Sequence, residues 1–138
     1  RVKWHLQGEF PEDLPPEAAG THIGHFITWL CLNDLMEEGM KEHPLFEKVR
    51  RKEATGRDVL LELMDGDFVM EFLSDEGNDF AQSYYVDQHG GMGQYIDDYC
   101  QAFNDVDNIY YVDDSWESFE KLRPLIDERW EEWKRSNG

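Results

Sequence analysis

His22 and His25 stand three residues apart at the head of the longest apolar run in the chain. On a helix that spacing brings both imidazoles to neighbouring positions on one face, with Trp29 a turn further along. Two imidazoles so placed could share a divalent metal, or work as an acid-base pair with a carboxylate from elsewhere. Zinc asks for two more ligands, and no HExxH or CxxC spacing accompanies the pair. The competing reading is structural: both rings hydrogen-bond backbone or carboxylate groups at a helix start. A small metal-dependent or acid-base enzyme using His22 and His25 is therefore an alternative reading, and no cofactor is expected.

Other chemistry-bearing patterns reduce to structure. Thr55-Gly56-Arg57-Asp58 reads as a helix start, with Asp58 favoured by the helix dipole and Arg57 free to form an ion pair. Asp105-Val106-Asp107 and Asp65-Gly66-Asp67 each resemble the opening of a calcium loop. Their sixth positions are Tyr110 and Met70, where that loop needs Gly, and the first has Trp116 in place of the bidentate Glu. The loop from His89 to Gly93 lacks the Lys-Ser/Thr ending of a phosphate-binding loop, and no GxSxG is present.

Charge is the strongest signal. The chain carries a formal net charge of -18, and residues 58 to 120 hold 17 Asp and Glu without one Lys or Arg. The same stretch has its own aromatic and aliphatic pattern, so its carboxylates are expected on the surface of folded helices and loops. A folded face of one sign repels nucleic acid, attracts basic proteins and speeds their encounter. Mutual repulsion also raises carboxylate pKa values, which predicts a gain of stability on mild acidification. The expected partner is a basic protein, with Asp97, Asp98, Asp105, Asp107, Asp113 and Asp114 supplying charge. Tyr110, Tyr111 and Trp116 supply aromatic contact beside them. In size and charge the chain is analogous to immunity-type inhibitors that neutralise basic toxins.

The elements that must position these groups are mostly helices. The run from Thr21 to Met36 reads as a central helix, apolar on most sides, with Thr21 as N-cap and Gly39 as C′ residue. Pro44 suits the first turn of a second helix carrying Leu45, Phe46 and Val49. A third begins at Thr55 and ends at Gly66, a fourth piece covers Asn78 to Val86, and Tyr95, Ile96, Tyr99, Cys100 and Phe103 keep helical spacing. Ser115 caps a last helix that Pro124 should kink or divide. Val2, Trp4 and Leu6 alternate as a short strand does, and Ile109 to Val112 is the best partner for it.

Trp4-His5, Gly8, Phe10-Pro11, Leu14-Pro15, Gly20-Thr21-His22-Ile23-Gly24, Phe26 and Trp29 together resemble a group of small uncharacterised bacterial proteins. Thr55-Gly56-Arg57-Asp58, Gly77-Asn78, Phe80-Ala81, Tyr84-Tyr85 and Trp116 extend the resemblance over nearly the whole chain. It implies a bacterial origin and a common fold, and brings no activity with it.

A length of 138 residues suits one domain, 1–138, with a core that needs no metal or disulfide. The expected fold is mainly α: a single compact domain of about five to seven helices with at most a small two-stranded β element. Cys31 and Cys100 both read as buried free thiols. No segment approaches the ~18 apolar residues of a membrane span. The chain opens on Arg1 in place of Met, as a trimmed or processed chain does, and the expected compartment is the cytoplasm.

Overall fold

The computed structural model describes residues 20–66, 70–86, 93–106 and 111–137. These contain six α-helices: α1 (Thr21–Leu32), α2 (Pro44–Arg50), α3 (Gly56–Leu63), α4 (Asp75–Tyr84), α5 (Gly93–Ala102) and α6 (Trp116–Asn137). The fold is mainly α, as expected. Among the described residues the β content is one isolated antiparallel bridge, Met36 to Leu73.

Helix α1 is central because its sequence offers no polar face: every residue from Thr21 to Cys31 is buried. It starts one residue earlier than expected and ends sooner than its apolar pattern suggests. Gly20 occupies the cap position, so Thr21 is the first helical residue. At the other end Asn33 turns back on Trp29, its N–H and its Nδ2 both donating to the Trp29 carbonyl at 3.1 and 2.9 Å. Asp34 then adopts φ 60°, a left-handed conformation that short polar side chains tolerate. Leu35 and Met36 therefore leave the helix yet stay buried, and Gly39 has no part in ending α1. Their backbone bonds α4's approach instead: Ser74 N–H donates to the Leu35 carbonyl at 2.8 Å, and Glu37 N–H to that of Phe72 at 2.8 Å.

The other starts follow local chemistry. His43 Nδ1 accepts from Leu45 N–H at 3.1 Å with Pro44 in the first turn of α2. Thr55 and Asp58 form a reciprocal capping box on α3. Ser74 Oγ accepts from Gly77 N–H at 3.1 Å, and Ser115 Oγ from Ser118 N–H at 3.1 Å. Helix α6 runs through Pro124 as one helix of 22 residues. Pro124 removes the donor that the Glu120 carbonyl would otherwise receive, and both residues are exposed, where the loss costs least. The expected strand at Ile109 to Val112 does not form where it is described: Tyr111 is helical and Val112 lies in a bend. Ile109, Tyr110 and the proposed partner around Trp4 lie outside the described residues.

One core joins all six helices. Phe26 stacks on Tyr85 at 4.8 Å and meets Tyr95 at 5.1 Å, while Trp29 reaches Phe80 at 5.4 Å and Trp130 at 5.6 Å. Trp29 Nε1 donates to Asp127 Oδ1 at 2.8 Å, tying α1 to α6. Cys31 is buried and its thiol is pushed up to about 12 by burial. Cys100, expected to be buried, is exposed, because Tyr95 and Tyr99 set the inward face of α5 and leave it on the rim.

The tightest packing is between α1 and α3. A Cβ on Gly56 would stand 2.0 Å from the Gly24 carbonyl oxygen, and one on Gly24 would stand 2.6 Å from the Arg57 nitrogen. Gly56→Ala should therefore cost about 3 kcal/mol or more, read from urea unfolding. Gly39→Ala, whose added carbon meets only the Glu37 carboxylate at 3.1 Å, should be near neutral. Equal effects at the two sites would remove the α1–α3 contact from its place in the fold.

Candidate functional site

The histidines and the Thr55–Asp58 turn converge on one junction. Thr28 Oγ1 donates to the Gly24 carbonyl at 3.1 Å and accepts from Gly56 N–H at 2.7 Å, so one hydroxyl stitches the two helices where they touch. That contact sets Arg57 over the start of α1, where its Nη1 donates to Thr21 Oγ1 at 3.1 Å. Its Nε pairs with Asp114 Oδ2 at 3.1 Å, and Thr55 Oγ1 donates to the same oxygen at 2.9 Å. Burial raises the Asp114 carboxyl above its ordinary range, although Arg57 and Thr55 both pull it down. Trp116 closes the junction, its Nε1 donating to the Ala54 carbonyl at 3.3 Å with Lys52 over its ring at 5.5 Å.

His25 lies beneath this pair. Its Nε2 is 3.1 Å from the Asp113 carbonyl oxygen, which only accepts, so Nε2 carries the proton and the ring is a neutral donor. The rings of Tyr99, Phe103 and Phe119 surround it at 6.1 to 6.3 Å. Burial lowers its pKa to about 4, against the Asp113 bond, which raises it; Arg57 adds a smaller push downward. His22 is equally buried, meets Tyr99 edge-on at 6.1 Å, and gives its carbonyl to the Tyr95 hydroxyl. Among the described residues no three His, Cys, Asp or Glu side chains gather as a metal site. The arrangement holds a loop and two helices together, and the His25 imidazole faces three rings and the Asp113 carbonyl.

The aspartates of the acidic stretch fall into two groups. Asp98 is buried on α5, receiving Arg129 Nε at 3.0 Å, Arg129 Nη2 at 3.2 Å and the Tyr84 hydroxyl at 2.8 Å. Asp114 is half-buried and paired with Arg57, and neither presents an open carboxylate. Asp97, Asp105 and Asp113 are exposed, Tyr111 is 42% exposed and Trp116 is half-buried. Asp107 and Tyr110 lie outside the described residues. Among the described residues, the acids of this stretch make ion pairs at three places: Asp98 with Arg129, Asp114 with Arg57, and Glu120 with Arg123. Arg129 was not marked by any motif. It falls on the inward stripe of α6 between Ile126 and Trp133, where a lone Arg calls for a buried acid.

A family model described as a domain of unknown function, DUF7832, matches residues 1–112. The chain belongs to the DUF7832 family. Gly24, Gly56 and Arg57 lie within the DUF7832 match, whereas Asp114 and the whole of α6 follow it. No curated protein and no solved structure matches the chain. No described helix is long and apolar enough to cross a membrane.

The neutral His25 has a pH signature. Its folded pKa is depressed below the unfolded 6.5, so the stability it contributes is complete above that value and lost as pH falls toward about 4. This opposes the gain expected from repelling carboxylates. Between pH 7 and 5 wild type should lose about 2 kcal/mol relative to His25→Phe in urea unfolding. A difference that stays constant with pH would mean that His25 is not held neutral.

Proposed function

We propose that the protein is an acidic binding protein, an immunity-type inhibitor that neutralises a basic bacterial toxin by direct contact in the cytoplasm. The observation that carries this reading is the state of the acidic stretch. Sixty-three consecutive residues hold no Lys or Arg. Among the described residues, three arginines of the flanking segments pair with it: Arg57 and Arg129 are spent on Asp114 and Asp98, and Arg123 on Glu120. Asp97, Asp105 and Asp113 are left exposed, and no ion pair to a described residue offsets them.

Carboxylates kept apart from bases weaken the fold through self-repulsion. Their retention on folded helices and loops fits a surface that gains its compensation from a partner. Tyr111 and Trp116 give that surface aromatic area next to Asp113, the pairing of ring and charge from which binding hot spots are built. The proposed face is Asp97, Asp105 and Asp113 with Tyr111 and Trp116; Asp98 and Asp114 act behind it by fixing α5 and the turn that precedes α6. The histidine cluster gives no support to the enzyme reading, because His25 is committed to the Asp113 carbonyl and enclosed by rings.

The test is kinetic. A basic protein recovered by the immobilised chain from its source organism is purified, and its association is followed at low and high salt. Converting Asp97, Asp105 and Asp113 together to Lys should slow association at least about tenfold at low salt and flatten its salt dependence. Recovery of no basic protein, or an association rate unchanged by the triple substitution, would overturn the proposal.

A further inference from the structure

Helices α4, α5 and α6 enclose a cleft of about 210 Å³ that the histidine junction does not touch. Phe80 and Trp133 wall it, Ser83 and Gln94 line it from α4 and α5, and Arg129 and Glu132 line it from α6. Its volume is below the several hundred Å³ of ordinary small-molecule pockets, and suits a single long side chain.

Its charge is set by an uneven count. Arg129 spends Nε and Nη2 on the two oxygens of Asp98, at 3.0 and 3.2 Å, and Nη1 on Glu132 Oε1 at 3.3 Å. One guanidinium between two carboxylates leaves the group one negative charge. Glu132 is 45% exposed and has its second oxygen still to offer. Exposed Asp79 lies one turn before Ser83 on α4, and exposed Asp97 one turn after Gln94 on α5. Lys134, on the same helix as Arg129 and Glu132, is engaged by Glu131 at 2.9 Å and sits over Trp130. An anion would meet an arginine fork already filled by Asp98 and the field of a chain at -18. A cation meets a carboxylate oxygen, hydroxyl and amide acceptors, and the half-buried Trp133 ring, which is suited to cation–π contact.

We propose that this cleft receives one Arg or Lys side chain of the basic partner, seated against Trp133 and paired with Glu132. The proposal rests on the acidic-partner reading above and extends it from Asp97 on α5 across to α6.

The full-length chain is titrated with N-acetylarginine amide, and the Trp133 indole N–H is followed by NMR. N-acetylnorleucine amide, of similar length and without charge, is the control. Saturable shifts are expected with the arginine probe alone. Affinity should fall at least about fivefold in Glu132→Gln and in Ser83→Lys, which places an ammonium in the cleft. It should stay within about twofold in Gln82→Lys, which makes the same charge change at an exposed position outside the cleft. Equal shifts with the neutral probe, or equal weakening in Ser83→Lys and Gln82→Lys, would overturn the proposal. The titration uses no partner protein, so its failure is separable from failure of the association experiment.

Discussion

The fold depends on two backbones touching. Gly24 and Gly56 bring α1 and α3 together more closely than any side chain would permit, and the Thr28 hydroxyl supplies the hydrogen bonds that make the approach stable. Each remaining group of the junction takes its place from that contact. Arg57 follows Gly56, so it is delivered to Thr21 and to Asp114; Asp114 in turn fixes the turn whose Asp113 carbonyl holds His25. Residues that look like acid-base chemistry in the sequence thus also serve a packing solution. A neutral imidazole and an ion pair satisfy the polar groups that a close helix crossing buries.

Charge follows the same economy. Arg57 and Arg129, one from each flanking segment, are consumed by Asp114 and Asp98. Asp98 fixes α5 against α6 through a bidentate pair that also takes the Tyr84 hydroxyl, and the buried tyrosine is raised well out of its ordinary range by desolvation and that carboxylate. The carboxylates on the outer sides of α4 and α5 receive no comparable partner among the described residues. The surface they form is open to a molecule of opposite charge, and the fold has no need of it for its own cohesion.

Much of this was legible because local rules operate at helix starts. Pro44, the Thr55–Asp58 box and Ser115 each announced a helix through groups that satisfy their own backbone. The end of α1 was obscured for the opposite reason: Leu35 and Met36 continue the apolar pattern, and hydrophobicity does not distinguish a buried helix from a buried extended segment. Asp98 was read as a surface acid by composition, though it follows Tyr95 by three and precedes Tyr99, which puts it on the inward stripe of α5. Its partner lies 31 residues away, and such a pairing is a property of tertiary packing. Cys100 was placed inside by residue type, where helix phase puts it outside.

The central claim is that neighbouring acids of one helix serve different ends, Asp98 the fold and Asp97 the surface. Urea unfolding of Asp98→Asn and Asp97→Asn at neutral pH tests it most directly. Asp98→Asn should lose about 2 kcal/mol, because the Arg129 fork and the Tyr84 hydroxyl lose a buried charged acceptor. Asp97→Asn should stay within about 0.5 kcal/mol of wild type, as exposed substitutions do, or gain slightly from reduced repulsion. Equal losses from the two would show that the exposed acids are also held by the fold, and would contradict the division of the acidic stretch into an interior clamp and an open face.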